Sequence, residues 1–172
     1  MEKRKRQVFL AQFIAVLVFS WSLPAHADIT ASQALAYANS FRMKTTSESA
    51  HTDASAQGFK KRSSKNLEDV RVISYAGPAE IKLVFSDKDV LTAVFVCIQK
   101  YNDEQGSSAL QQGLSASLAA LRNSLGEPTR TWAAWSDFLA GANFETSVYA
   151  EWPYFLLTHD SARIWLERSW AK

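Results

Sequence analysis

The sequence is short of the residues from which several kinds of site are built. It holds one cysteine, Cys97, which excludes an internal disulfide and any zinc or iron–sulfur centre made from several thiolates. Six glycines and four prolines in 172 residues leave little material for a glycine-rich phosphate cradle. Neither the His-Glu-x-x-His nor the Gly-x-Ser-x-Gly pattern occurs. Long apolar runs are equally scarce. The one that exists covers residues 8–23, and 16 residues fall short of the roughly 20 that a spanning helix needs.

That run belongs to a leader. Lys3-Arg4-Lys5-Arg6 precede it, and Pro24 and Ala25-His26-Ala27 follow, with small residues where signal peptidase reads. Basic, apolar and small-residue regions in that order predict a cleaved secretory signal over residues 1–27. The expectation is Sec-type export to the periplasm or beyond, from a bacterial cell. No cysteine lies near the cleavage point, which excludes a lipoprotein anchor. After cleavage no integral membrane segment is expected.

Removing the leader takes away four basic residues and one acidic one, so 19 Lys+Arg against 17 Asp+Glu becomes 15 against 16. The basic footprint of a nucleic-acid-binding domain is then absent. Residues 28–65 carry six basic and three acidic groups, whereas residues 66–172 carry nine and thirteen. Residues 28–172 are enough for a single domain with its own core.

Thr30-Ala31-Ser32-Gln33 has the form of a capping box, and apolar residues follow at helical spacing to about Met43. Residues 44–66 are Ser, Thr, Ala and Lys with few large apolar groups, and read as a long polar loop with Phe59 as a tether. Alternation from Val70 to Tyr75 predicts a strand. Ile81, Leu83 and Phe85 alternate with Glu80, Lys82 and Val84, predicting a second with one buried face. Residues 90–99 are apolar on both faces, the mark of a central strand. Ser108-Ala109-Leu110-Gln111 suggests a second capping box. Leu110, Leu114, Leu118, Leu121 and Leu125 then form a helical stripe stopped by Gly126 and Pro128. Strands are expected at 129–135, 146–151, 154–158 and 162–168, with a loop or short helix at 136–143.

Tyr75-Ala76-Gly77-Pro78 before the first hairpin is echoed by Tyr149-Ala150-Glu151-Trp152-Pro153 before the second, about 75 residues on. The fold class that follows is α+β, an antiparallel sheet with two helices on one face and two α-β-β-β units in tandem. This layout looks like the tandem architecture of β-lactamase-inhibitor-type proteins. No motif of that family is matched, so no residue role follows from it.

Candidate chemistry is thin. Cys97 lies in the two-faced apolar strand without a neighbouring base, which reads as core packing, an intermolecular disulfide being the alternative in an oxidising compartment. His159-Asp160 has the composition of a base and its carboxylate, but neighbours on a strand face opposite ways. His51-Thr52-Asp53 supplies too few metal ligands, and Glu145, Glu151 and Glu167 are carboxylates any surface supplies. No cofactor, metal or catalytic residue is expected. Five tryptophans fall between Trp132 and Trp170. Indoles of this density suit an interface or a sugar platform. Trp165 is expected in the core. Trp135 and Trp152, with Tyr154, are expected on an exposed patch, and Lys60, Lys61 and Arg62 as a basic accessory contact. The leading expectation is an exported non-enzymatic protein binding another envelope or secreted protein as inhibitor, immunity factor or assembly accessory. A glycan-binding module and a small hydrolase or thiol enzyme are the alternatives.

Overall fold

A computed structural model describes residues 28–101, 106–131, 135–136, 146–160 and 162–170; the side chains of 106, 107, 135, 136, 146 and 147 lie outside that description. The expected leader, Trp132, Glu145 and residues 137–143 of the loop or short helix expected at 136–143 also lie outside the described residues, and Ser136 lies in a strand.

The helices are α1 (Ala31–Ser40), α2 (Ser47–Ala56) and α3 (Gly106–Leu125). The strands are β1 (Lys60–Leu67), β2 (Val70–Ala76), β3 (Glu80–Ser86), β4 (Leu91–Lys100), β5 (Arg130–Thr131), β6 (Trp135–Ser136), β7 (Thr146–Glu151), β8 (Phe155–His159) and β9 (Arg163–Ser169). They form one antiparallel sheet in the order β1-β2-β3-β4-β9-β8-β7-β5, with β6 also on β7. Two meanders therefore meet back to back along the β4–β9 pair, where Val96 faces Leu166 and Cys97 faces Trp165. The α+β class is as the sequence predicts, with three helices among the described residues where two were expected.

All three helices cover one face. Ala34 and Ala38 of α1, Ala50 and Ala54 of α2, and Leu114 and Leu121 of α3 pack with Ile73, Tyr75, Leu83, Val94, Ile98 and Leu166. The other strand parity forms a separate cluster of Val72, Val84, Ala93, Phe95, Cys97 and Trp165. Strand β3 is thus buried on both faces, Lys82 and Val84 included, which corrects the expectation of one buried face.

Thr30 caps α1 as expected: its Oγ1 accepts from Gln33 N at 3.1 Å and Gln33 Oε1 accepts from Thr30 N at 2.9 Å. Ser108, by contrast, lies inside α3, two residues past its start, and is not its cap. The expected loop at 44–66 is corrected most. Thr46 accepts from Ser49 N to start α2, and Asp89 Oδ2 accepts from Ser47 N and Oγ at 3.3 and 3.0 Å while pairing with Arg71. Residues of β1 are exposed from Lys60 to Asn66, so that strand is held by its ladder to β2 and not by burial.

Two glycines mark close approaches. A Cβ on Gly77 would stand 2.6 Å from Gly58 O, where the β2–β3 turn passes the end of α2. A Cβ on Gly113 would stand 1.8 Å from Tyr101 Oη, because the phenol lies against α3.

Candidate functional site

The tight turn between β7 and β8 decides where the exposed aromatics go. Trp152 N donates to Phe155 O at 2.8 Å and Phe155 N returns to Trp152 O at 3.4 Å, so Pro153 and Tyr154 form a two-residue hairpin loop. Proline restricts φ at the first loop position and Tyr154 is thrust outward, 59% exposed. Ser169 N donates to Tyr154 O at 3.1 Å, and Trp170 N to Thr92 O at 3.1 Å. These bonds pin the backbone of both Tyr154 and Trp170, yet the Trp170 side chain is 50% exposed.

The two rings stack, with centroids 6.4 Å apart and planes 26° from parallel. Lys44 comes from the α1–α2 connection, where its N–H donates to Leu91 O at 3.0 Å and its backbone takes a φ of 64°. Its ammonium stands 4.2 Å from the Trp170 ring centroid, within cation–π range. Beside this shelf is a cleft of ≈ 270 Å³ lined by Asn39, Tyr154, Phe155, Arg168, Ser169 and Trp170. Arg168 forms its rear wall and donates through Nη1 to Ala38 O (3.0 Å) and Phe41 O (3.1 Å), closing the carbonyl end of α1. Burial lowers the pKa of Arg168, but a guanidinium stays charged. A rigid aromatic pair with a cation over it and a walled cleft beside it can hold an apolar or aromatic group carrying negative charge.

The predicted site residues separate. Tyr154 is on the shelf. Trp152 is not: it is 2% exposed, and its Nε1 donates to Gly126 O at 2.9 Å. Gly126, in the left-handed region at φ 81°, ends α3, so the indole closes a helix terminus and the expectation of an exposed Trp152 is corrected. Trp135 lies in β6 opposite Ser147, with its side chain outside the described residues. Lys60, Lys61 and Arg62 are exposed at the start of β1, with β2 and β3 between that strand and β4. The residue that sequence reasoning left off the patch is Trp170. Its place just past the end of β9 carries no periodicity from which its exposure could be read.

Other candidates are occupied elsewhere. Asp160 accepts from Ala162 N at 2.8 Å and Trp165 Nε1 at 3.0 Å, so its carboxylate does not orient the His159 ring, whose Nδ1 lies 3.3 Å from Asp160 O. His51 Nδ1 is 3.3 Å from Tyr75 Oη, and among the described residues no group of three metal-ligating side chains assembles. Cys97 is buried, and desolvation pushes its thiol up to about 12, far from a reactive thiolate. Burial also raises Glu167 to about 8 and lowers Lys82 to about 8. Both lie on the sheet face away from the helices, each opposite Phe95 from its own side. Comparison with protein-family models, curated proteins and solved structures finds no match to this chain.

Proposed function

We propose that this is an exported, non-enzymatic binding protein that holds another envelope or secreted protein against the Tyr154–Trp170 shelf. The observation that carries the reading is that two stacked aromatic side chains remain exposed while their backbones are fixed by hydrogen bonds. Tryptophan, tyrosine and a cation are the composition of interface hot spots, and a pinned backbone lowers the ordering cost of binding. The leader at residues 1–27 supports the envelope or the exterior as the meeting place. A sugar ring would have to share the Trp170 indole with Lys44, which favours a protein partner over a glycan.

The test is affinity capture of the tagged protein from envelope extract, in parallel with the Tyr154→Ala/Trp170→Ala variant. A stoichiometric protein partner that the variant loses supports the reading. Retention on isolated cell wall that the variant loses transfers the shelf to glycan, and equal recovery by both forms refutes a role for the shelf.

A further inference from the structure

The outer edge of the sheet at β1 is a second unassigned surface. Among the described residues β1 pairs only with β2, so its other side presents unpaired backbone donors and acceptors. Exposed edges are commonly kept short; this one runs eight residues. A bulge interrupts the register between Lys61 and Ser63, after which pairing is regular from Ser63 opposite Ser74 to Leu67 opposite Val70. The strand carries Lys60, Lys61, Arg62 and Lys65, and no carboxylate lies within it. At the opposite end of the sheet, β7 is instead capped by the two-residue strands β5 and β6.

Charge decides what can add there. A second copy pairing through β1 would set cations against cations, and like charges facing each other across a ladder are destabilising. An extended segment rich in Asp and Glu meets the opposite situation. Its backbone continues the ladder, and its acidic side chains meet Lys60 and Lys65 on one face of β1 and Lys61 on the other. We infer that β1 is a strand-addition site for an acidic, extended segment of a partner protein. The inference stands on residues apart from the aromatic shelf, so the Tyr154→Ala/Trp170→Ala experiment does not decide it.

The experiment is amide hydrogen exchange on the protein with an eight-residue peptide of alternating Thr and Glu, whose glutamates share one face and align with Lys60 and Lys65. Exchange across residues 60–67 is expected to slow by roughly tenfold, with β7 to β9 unchanged. A peptide of the same charge with every backbone nitrogen methylated has no donor on either edge, cannot extend the ladder, and is expected to give no protection. The charge-reversed protein, with Glu replacing Lys60, Lys61, Arg62 and Lys65, is expected to ignore the Thr-Glu peptide and be protected by a Thr-Lys peptide. These side chains are exposed, so the fold should survive the change. Should reversal loosen the β1–β2 ladder, the Lys60→Ala/Lys65→Ala variant, with weakened protection, serves instead. Equal protection by the methylated peptide would reduce β1 to a charged patch. Protection of residues 60–67 by anionic phosphatidylglycerol vesicles and not by the Thr-Glu peptide would assign the strand to a membrane surface. Either result overturns the inference, as does no protection at all.

Discussion

The two halves of the sheet follow the same path and finish it differently. β1–β4 runs outward to a long, exposed, basic edge, whereas β5–β9 runs outward to an edge split between two short strands. The helices differ as well. α1, which buries alanines, lies across the β4–β9 seam; α2, which also buries alanines, lies beside β1, and the 20-residue α3, which buries Leu114 and Leu121, lies over β8 and β9. Where the halves meet, β4 and β9 bury side chains on both faces. Stability is thus concentrated at the shared centre, which leaves the rims free to carry recognition.

The largest expected effect separates the halves by pH. Each sends buried ionisable side chains into the face away from the helices, Lys82 and Cys97 from the first and Glu167 from the second. Glu167 titrates near 8 folded against 4.5 as its ordinary value, so folding takes up a proton between those limits and stability falls as pH rises through them. The span corresponds to a loss on the order of 5 kcal/mol. Lys82, near 8 folded against 10.5, has the opposite slope at higher pH: the unfolded chain holds the proton longer, and stability recovers above about 8 until the buried Cys97 thiol, raised from 9 to about 12, opposes it above pH 9. Chemical denaturation across pH is expected to show a minimum near pH 8. Glu167→Gln should abolish the acid-side fall and stabilise the protein at neutral pH, while Lys82→Met should abolish only the alkaline recovery. A flat profile in the unmodified protein would contradict the burial of both groups.

Next come the close approaches. Gly77→Ala drives a Cβ into backbone at Gly58 and is expected to destabilise by about 2–3 kcal/mol in urea melts. Gly113→Ala, which would gain up to about 1 kcal/mol in an ordinary helix, is expected to lose about 1–2 kcal/mol because it meets Tyr101 Oη. That hydroxyl is buried without a hydrogen-bond partner, so Tyr101→Phe should cost little and should recover part of the Gly113→Ala loss, the rest being set by Gln99 Oε1 and Ile164 Cδ1 at 2.9 Å. Strict additivity in that double-mutant cycle would show that the phenol and the helix do not compete for space.

What the sequence disclosed follows from what each segment buries. α3, with its leucine stripe, and β4, apolar on both faces, were legible because burial imposes a period. The missed elements bury almost nothing large. In α2 the contact with the core is made by Ala50 and Ala54 amid serines and acids, and β1 has no buried face to impose alternation. Trp152 and Trp170 show the same limit at the site. Each lies just past a strand end, and one closes α3 while the other stands open, a distinction set by the neighbouring helix terminus and not by local pattern.

The smallest expected effect concerns the cation at the shelf. Lys44→Ala removes one face contact of Trp170 and should weaken partner binding by about two- to fivefold, with no change in melting. An unchanged affinity would show that the rings act without the cation.

The most direct measurement of the central claim is ¹⁹F NMR of the protein labelled with 5-fluorotryptophan, titrated with the fraction of envelope extract that it captures. The account predicts that the Trp170 resonance shifts or broadens while those of the buried Trp152 and Trp165 hold their positions. Movement of Trp152 or Trp165 with Trp170 unchanged would contradict it.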